Sequence, residues 1–175
     1  WWDGLEAGRV FATNGPLLRP RVHGEPPGYV FRLGPDEHLK FEIGLNLATR
    51  EPVEYLEIIK NGVIEREVRL DKWAAAGGRL PALDFDDSGW FLVRAVTTNT
   101  KKYQLAIGGP YYVERAGRPR GSRASVQFFL DWIDAATAHW RDAKDLDEAT
   151  RAKKLAEQAQ ARQFFEELLA TANAD

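Results

Sequence analysis

Three histidines, His23, His38 and His139, are the side chains here best suited to holding a catalytic metal or moving a proton. A hydrolytic zinc or manganese site needs several His, Asp or Glu ligands converging on one ion, with an open position for water. None of the three stands in an H-x-H, H-E-x-x-H or His-Asp spacing, so each reads as a surface or turn histidine. The run DFDDS over 84–88 gathers Asp84, Asp86 and Asp87 and invites a calcium reading. Calcium loops need further oxygen ligands at fixed offsets, usually with a glycine at the sharp turn and a distal glutamate. Without them the run reads as a solvated turn. Arg115, Arg118, Arg120 and Arg123 fall in one Gly/Pro-containing loop. Guanidinium recognises planar anions well, so this loop is either an anion or carbohydrate-acid site or a linker, solvated or salt-bridged to another domain. The sequence has no cysteine, which excludes thiol nucleophiles, disulfides and cysteine-bound zinc. It has no G-x-S-x-G elbow and no glycine-rich phosphate loop opening a helix. The paired glycines of AIGGPYY lead into a strand. No catalytic residue, metal ligand or cofactor is therefore expected.

The elements that would position these groups are mostly strands. In HLKFEIGLNLAT, Leu39, Phe41, Ile43, Leu45 and Leu47 alternate with Lys40, Glu42, Gly44 and Asn46, the pattern of a half-buried antiparallel strand. Asn61-Gly62 is a two-residue hairpin signal, because a type I′ turn needs positive φ at both central positions. The register that follows sets Lys60 opposite Val63, Ile59 opposite Ile64 and Glu57 opposite Arg66, with Glu54 opposite Arg69. DKWAAAGG over 71–78 predicts a short helical turn stopped by Gly77-Gly78. GWFLVRAVTT over 89–98 is apolar on both faces, as a central strand covered on each side would be. YQLAIGG over 103–109 alternates and then breaks at Gly108-Gly109-Pro110, which predicts a bulge or a change of sheet. With VFATN, LRPRVHG and YVFRL the count is roughly eight strands, favouring an antiparallel β-sandwich of immunoglobulin-like kind.

Beyond the arginine loop the period changes. Ser122 or Ser125 can cap a helix in which Val126, Phe129, Leu130, Ile133 and Trp140 fall at helical spacing. A second helix follows Asp145 or Asp147, with Leu155, Ala159, Phe165, Leu168 and Leu169 as its stripe. Both are amphipathic and need a partner surface. The expected layout is a helix end over 1–9, a β-sandwich over 10–114, the loop over 115–124, and two C-terminal helices over 125–175. Those helices would pack on the sandwich, on a missing domain, or on a second copy in a homo-oligomer. Of the six tryptophans, Trp90, Trp132 and Trp140 fall on apolar faces, where core packing is expected. Trp1 and Trp2 belong to WWDGLEAGR, the last turns of a helix ended by Gly8.

Net charge is −2 and the isoelectric point about 6.0, which gives no electrostatic case for nucleic acid or an anionic membrane as partner. No apolar run approaches the ~20 residues of a membrane-spanning helix. The compartment stays open, periplasm and exterior included. A chain that begins with Trp1-Trp2 and holds no methionine is expected to be a piece of a longer protein with a domain ahead of it.

WDGLEAGRVFATNGPLL resembles the junction at which PHP-type metallohydrolases, the polymerase and histidinol phosphatase-like superfamily, leave their catalytic barrel. GWFLVRAVT, GPYYVE and SRASVQFFLDWID are similar to the C-terminal region of bacterial members carrying an accessory β-sandwich and terminal helices. The family's H-x-H and Asp-x-His metal ligands have no counterpart here. The resemblance therefore implies a non-catalytic accessory domain that packs against the barrel, its expected partner. Trp1, Trp2, Asn14, Arg118, Arg120 and Arg123 are the candidate contact surface. The alternative is a carbohydrate- or small-ligand-binding β-sandwich module.

Overall fold

Alternating apolar residues build two facing sheets in the computed structural model, which describes residues 1–99 and 101–175. The chain divides into two units, Trp1–Pro119 and Arg120–Asp175, with the division inside the arginine loop.

In the first unit a five-residue helix α1 (Trp2–Glu6) precedes β1 (Phe11–Thr13), β2 (Leu17–Val22), β3 (Val30–Leu33), β4 (Leu39–Ala48), β5 (Val53–Lys60) and β6 (Val63–Arg69). Helix α2 (Leu70–Ala75) then leads to β7 (Arg79–Phe85), β8 (Gly89–Thr97), β9 (Leu105–Gly108) and β10 (Tyr111–Arg115). One sheet holds β2, β4 and β7 in that order; the other seven strands form the second, with β8 at its centre. The result is a β-sandwich of ten strands rather than roughly eight. It is antiparallel apart from β3, which runs parallel to β10.

The alternation of β4 is realised as expected, with Phe41, Ile43 and Leu45 buried. They meet Leu56 and Ile58 of β5, Phe91 and Val93 of β8, and Tyr111 of β10 in a single core between the sheets. Phe41 lies 4.7 Å from Phe31 and 5.4 Å from Phe91, ring centre to ring centre. Each such side chain contributes about 1.5–3 kcal/mol by leaving water. Strand β8 is covered on both faces, because Ile59 and its register partner Leu92 are also buried, outside that core.

The hairpin turn forms at Asn61-Gly62 with φ of 51° and 93°, and Lys60–Val63 and Ile59–Ile64 pair as expected. The Glu57–Arg66 pairing does not. Glu65 bulges out, so Ile58 faces Arg66, Glu57 faces Glu67, and Tyr55 rather than Glu54 faces Arg69. Glu57 turns to the other neighbour, where its carboxylate accepts from Arg94 Nε at 2.5 Å. That carboxylate holds the Arg94 guanidinium above its ordinary range. Arg66 contacts Glu65 instead, at 3.2 Å.

The break at Gly109-Pro110 is not a change of sheet. Strands β9 and β10 both lie along β8, against Arg94–Val96 and Gly89–Phe91 respectively. Only the outer neighbour changes, from β1 to β3.

The second unit is a helical hairpin of α3 (Arg123–Asp142) and α4 (Glu148–Thr171). Ser122 caps α3 by accepting from Ser125 N–H at 3.1 Å, and Asp147 caps α4 by accepting from Thr150 N–H at 2.8 Å. Hydrogen bonds from Thr150 hold the Asp147 carboxyl below the usual range. Val126, Leu130 and Ile133 are buried, and Phe129 stacks on Phe165 at 5.0 Å. Trp132 departs from expectation: it is 62% exposed, not core.

Candidate functional site

Residues 7–10 are held to the sandwich by close backbone approach. A Cβ on Gly28 would overlap the Ala7 carbonyl, and one on Gly109 would meet the Val10 carbonyl oxygen at 2.9 Å. The two glycines thus clamp residues 7–10 from both sides, and Gly109 N–H donates to Val10 C=O at 2.7 Å. Helix α1 ends with Gly8 at φ 66° and Arg9 N–H bonded back to Gly4 C=O at 2.8 Å, a left-handed stop. What this clamp presents outward is apolar. Trp1 is 88% and Trp2 66% exposed, their rings 4.7 Å apart, and Leu5, Val10 and Phe11 are exposed as well.

Asn14 works inward. Its amide donates to Tyr103 C=O at 2.9 Å and accepts from Leu105 N–H at 2.8 Å, locking β1 to the start of β9. Thr13 Oγ1 receives Gly15 N–H at 3.0 Å. The TNGP turn is therefore fastened by its own side chains.

The arginines of the loop fall two in each unit. Arg115 donates to the carbonyls of Asp86 and Pro35. The Arg118 carbonyl accepts from buried Ser88 Oγ at 2.6 Å, and Ser88 Oγ in turn accepts from Arg115 N–H at 2.9 Å. Within the second unit, Arg120 donates to the Asp175 carbonyl at 2.9 Å and Arg123 to that of Ala172 at 3.1 Å. The last two close the hairpin around the end of α4.

His38 lies 3.4 Å from Asp84. His139 packs edge-on against Trp140 at 4.8 Å. His23 adopts a left-handed turn at φ 50°, and its Nε2 accepts from Glu42 N–H at 3.3 Å. Among the described residues no three His, Cys, Asp or Glu side chains gather as metal ligands.

A cleft absent from the expectations opens on the outer face of the three-stranded sheet. Arg21 pairs with Gly44 across β2–β4, and Gly44 with Arg79 across β4–β7. Neighbouring strands lie about 4.8 Å apart, so the two arginine backbones flank the glycine at about 10 Å from each other. The cleft holds about 400 Å³ and is lined by Arg21, His23, Glu42, Gly44, Arg79 and Leu80 among others. Among the described residues, ion pairs engage other arginines, and neither Arg21 nor Arg79 has an ion-pair or side-chain hydrogen-bond partner.

The helical hairpin carries its own exposed aromatic face: Phe128 and Trp132 on α3, and Phe164 on α4.

No protein-family model and no curated protein matches the chain. Among solved structures, it is similar to the fibronectin(III)-like modules of Clostridium thermocellum CbhA at 12% identity, with 54% of this chain and 94% of that one covered and a TM-score of 0.36. It is also similar to the CARDB domain of a Pyrococcus furiosus protein at 12% identity, covering 57% of this chain and 90% of that one, with a TM-score of 0.26.

Proposed function

We propose that this chain is a non-catalytic accessory region of a PHP-like metal-dependent hydrolase, packing against the catalytic barrel through Trp1, Trp2, Leu5, Val10 and Phe11. One observation carries the reading: five large apolar side chains within the first eleven residues are exposed, on a segment whose residues 7–10 closely approach Gly28 and Gly109. Exposed indoles are suited to an interface, since aromatic anchors supply large contact area. The coding sequence ahead of Trp1 gives the first test. H-x-H and Asp-x-His motifs are expected there, and a reading frame without them overturns the assignment. Hydroxyl-radical footprinting gives the second: Trp1 and Trp2 react less in the longer protein than in this chain alone. Equal reactivity in both would remove the contact.

A second reading, a ligand-binding sandwich module, is favoured by the cleft over Gly44. The exposed Phe128, Trp132 and Phe164 favour self-association through the hairpin, which sedimentation of the native chain and a Trp132→Lys variant would test. A monomeric native chain sinks that part.

A further inference from the structure

We propose that the outer face of β2, β4 and β7 binds a small oxyanion of monosaccharide size, a sugar acid or sugar phosphate, seated over Gly44 between Arg21 and Arg79. This rests on the ligand-module reading and is independent of any barrel contact.

The glycine carries the argument. Glycine inside a strand destabilises it by about 0.5–1 kcal/mol relative to alanine, and it is kept where the backbone demands it or where something approaches closely. Here Gly44 lies outside the left-handed region, and the irregularity in the β4–β7 pairing falls before it, between Phe41 and Ile43. A Cβ on Gly44 would meet nothing nearer than Arg21 C=O, at 3.7 Å, an ordinary contact. A side chain would fit and strengthen the central strand, yet the position is bare.

On either side of it stands an arginine without a partner carboxylate among the described residues. Each guanidinium reaches roughly 6 Å from its Cα, so two of them about 10 Å apart can close on one oxyanion from both flanks. Arginine is suited to that geometry because its fork matches carboxylate and phosphate oxygens.

The rest of the cleft sets the size and polarity of the ligand. A volume of about 400 Å³ falls in the range of small-molecule sites, roughly 300–1,000 Å³, and exceeds what a bare phosphate fills. Leu80 and Ala82 supply apolar wall, and Glu42 lines the same cleft. The Glu42 carboxylate repels a second anionic group and accepts hydrogen bonds from hydroxyls. Its backbone is fixed by the bond to His23 Nε2. One charged end and one hydroxyl-bearing body describe the ligand that satisfies both.

The test is calorimetric titration of the whole chain with glucuronate, glucose 6-phosphate, inorganic phosphate and glucose. At least one of the two sugar anions is expected to bind at least tenfold tighter than phosphate or glucose. Arg21→Ala and Arg79→Ala are each expected to weaken that binding at least tenfold. Gly44→Val is expected to abolish it while the unfolding midpoint stays level or rises. No binding of either sugar anion at millimolar concentration, or affinity unmoved by both arginine variants, overturns the proposal. Glucose binding as tightly as the anions would overturn the anion assignment while leaving a sugar-binding module standing. Phosphate matching glucose 6-phosphate would overturn the assigned size.

Discussion

Tyr111→Phe tests the link between the two sheets. Tyr111 sits on β10, is 0% exposed, and stacks on Phe91 with ring centres 5.2 Å apart. Its single phenol proton is shared between the carbonyls of Pro20 at 3.1 Å and Glu25 at 3.2 Å, so it ties the large sheet to β2 and the turn after it. Removing the hydroxyl deletes about one net hydrogen bond and is expected to cost about 1 kcal/mol at pH 7. The pH dependence is more diagnostic. Burial pushes the phenol up from its ordinary 10.0, so the folded protein holds the proton more tightly than the unfolded chain does. That contribution is complete below about pH 10 and falls above it by up to about 1.4 kcal/mol per pH unit. Phenylalanine has no such loss. The gap between native and variant should therefore shrink above pH 10 and change sign between about pH 10.5 and 11, beyond which the variant is the more stable. Urea unfolding of both proteins from pH 7 to 11 measures it, and the difference cancels the other titrating groups. A gap that stays constant or widens with pH would refute the buried, proton-donating role.

Two further expectations concern register and clamp. Glu57→Ala should cost about 1.5–3 kcal/mol in denaturant unfolding, as for a hydrogen bond to a charged group, and Arg66→Ala much less. Equal costs would return Glu57 to a place opposite Arg66. Gly28→Ala or Gly109→Ala should raise hydrogen exchange at Gly8 and Arg9 and let Trp1 and Trp2 move freely, seen as a drop in their fluorescence anisotropy. Unchanged protection of those amides would mean that the close approach does not hold the segment.

Local signals carried most of the fold. The alternation in β4, the Asn61-Gly62 turn and the two helix caps are properties of neighbouring residues, and each appears where the sequence places it. The misses came from longer range. Strand β7 went unseen because Pro81 interrupts RLPALDF; its place at the edge of the small sheet, where the register against β4 shifts, makes that proline tolerable. The Glu65 bulge has no local signature, so the register counted from the turn, with which the Glu–Arg pairs agreed, holds only as far as Ile59–Ile64. Trp132 lies at helical spacing from buried residues but on the exposed side of α3. The cleft was illegible for the same reason. Arg21, Gly44 and Arg79 come from three strands, and nothing brings them into one row until the pairing is known. One trace of it was visible: Gly44, a residue without a side chain, in an otherwise strict strand.

The Glu65 bulge also bears on solubility. Strand β6 is one free margin of the large sheet, seven residues long, and its first two residues, Val63 and Ile64, are exposed. A straight margin of that length with those residues would template the strand of another molecule, the first step toward aggregates. The extra residue bends the strand just after Ile64, and the Glu65, Arg66, Glu67 and Arg69 that follow would lose water against a neutral strand laid beside them. The irregularity that displaced both expected Glu–Arg pairs thus works against growth by strand addition at this margin.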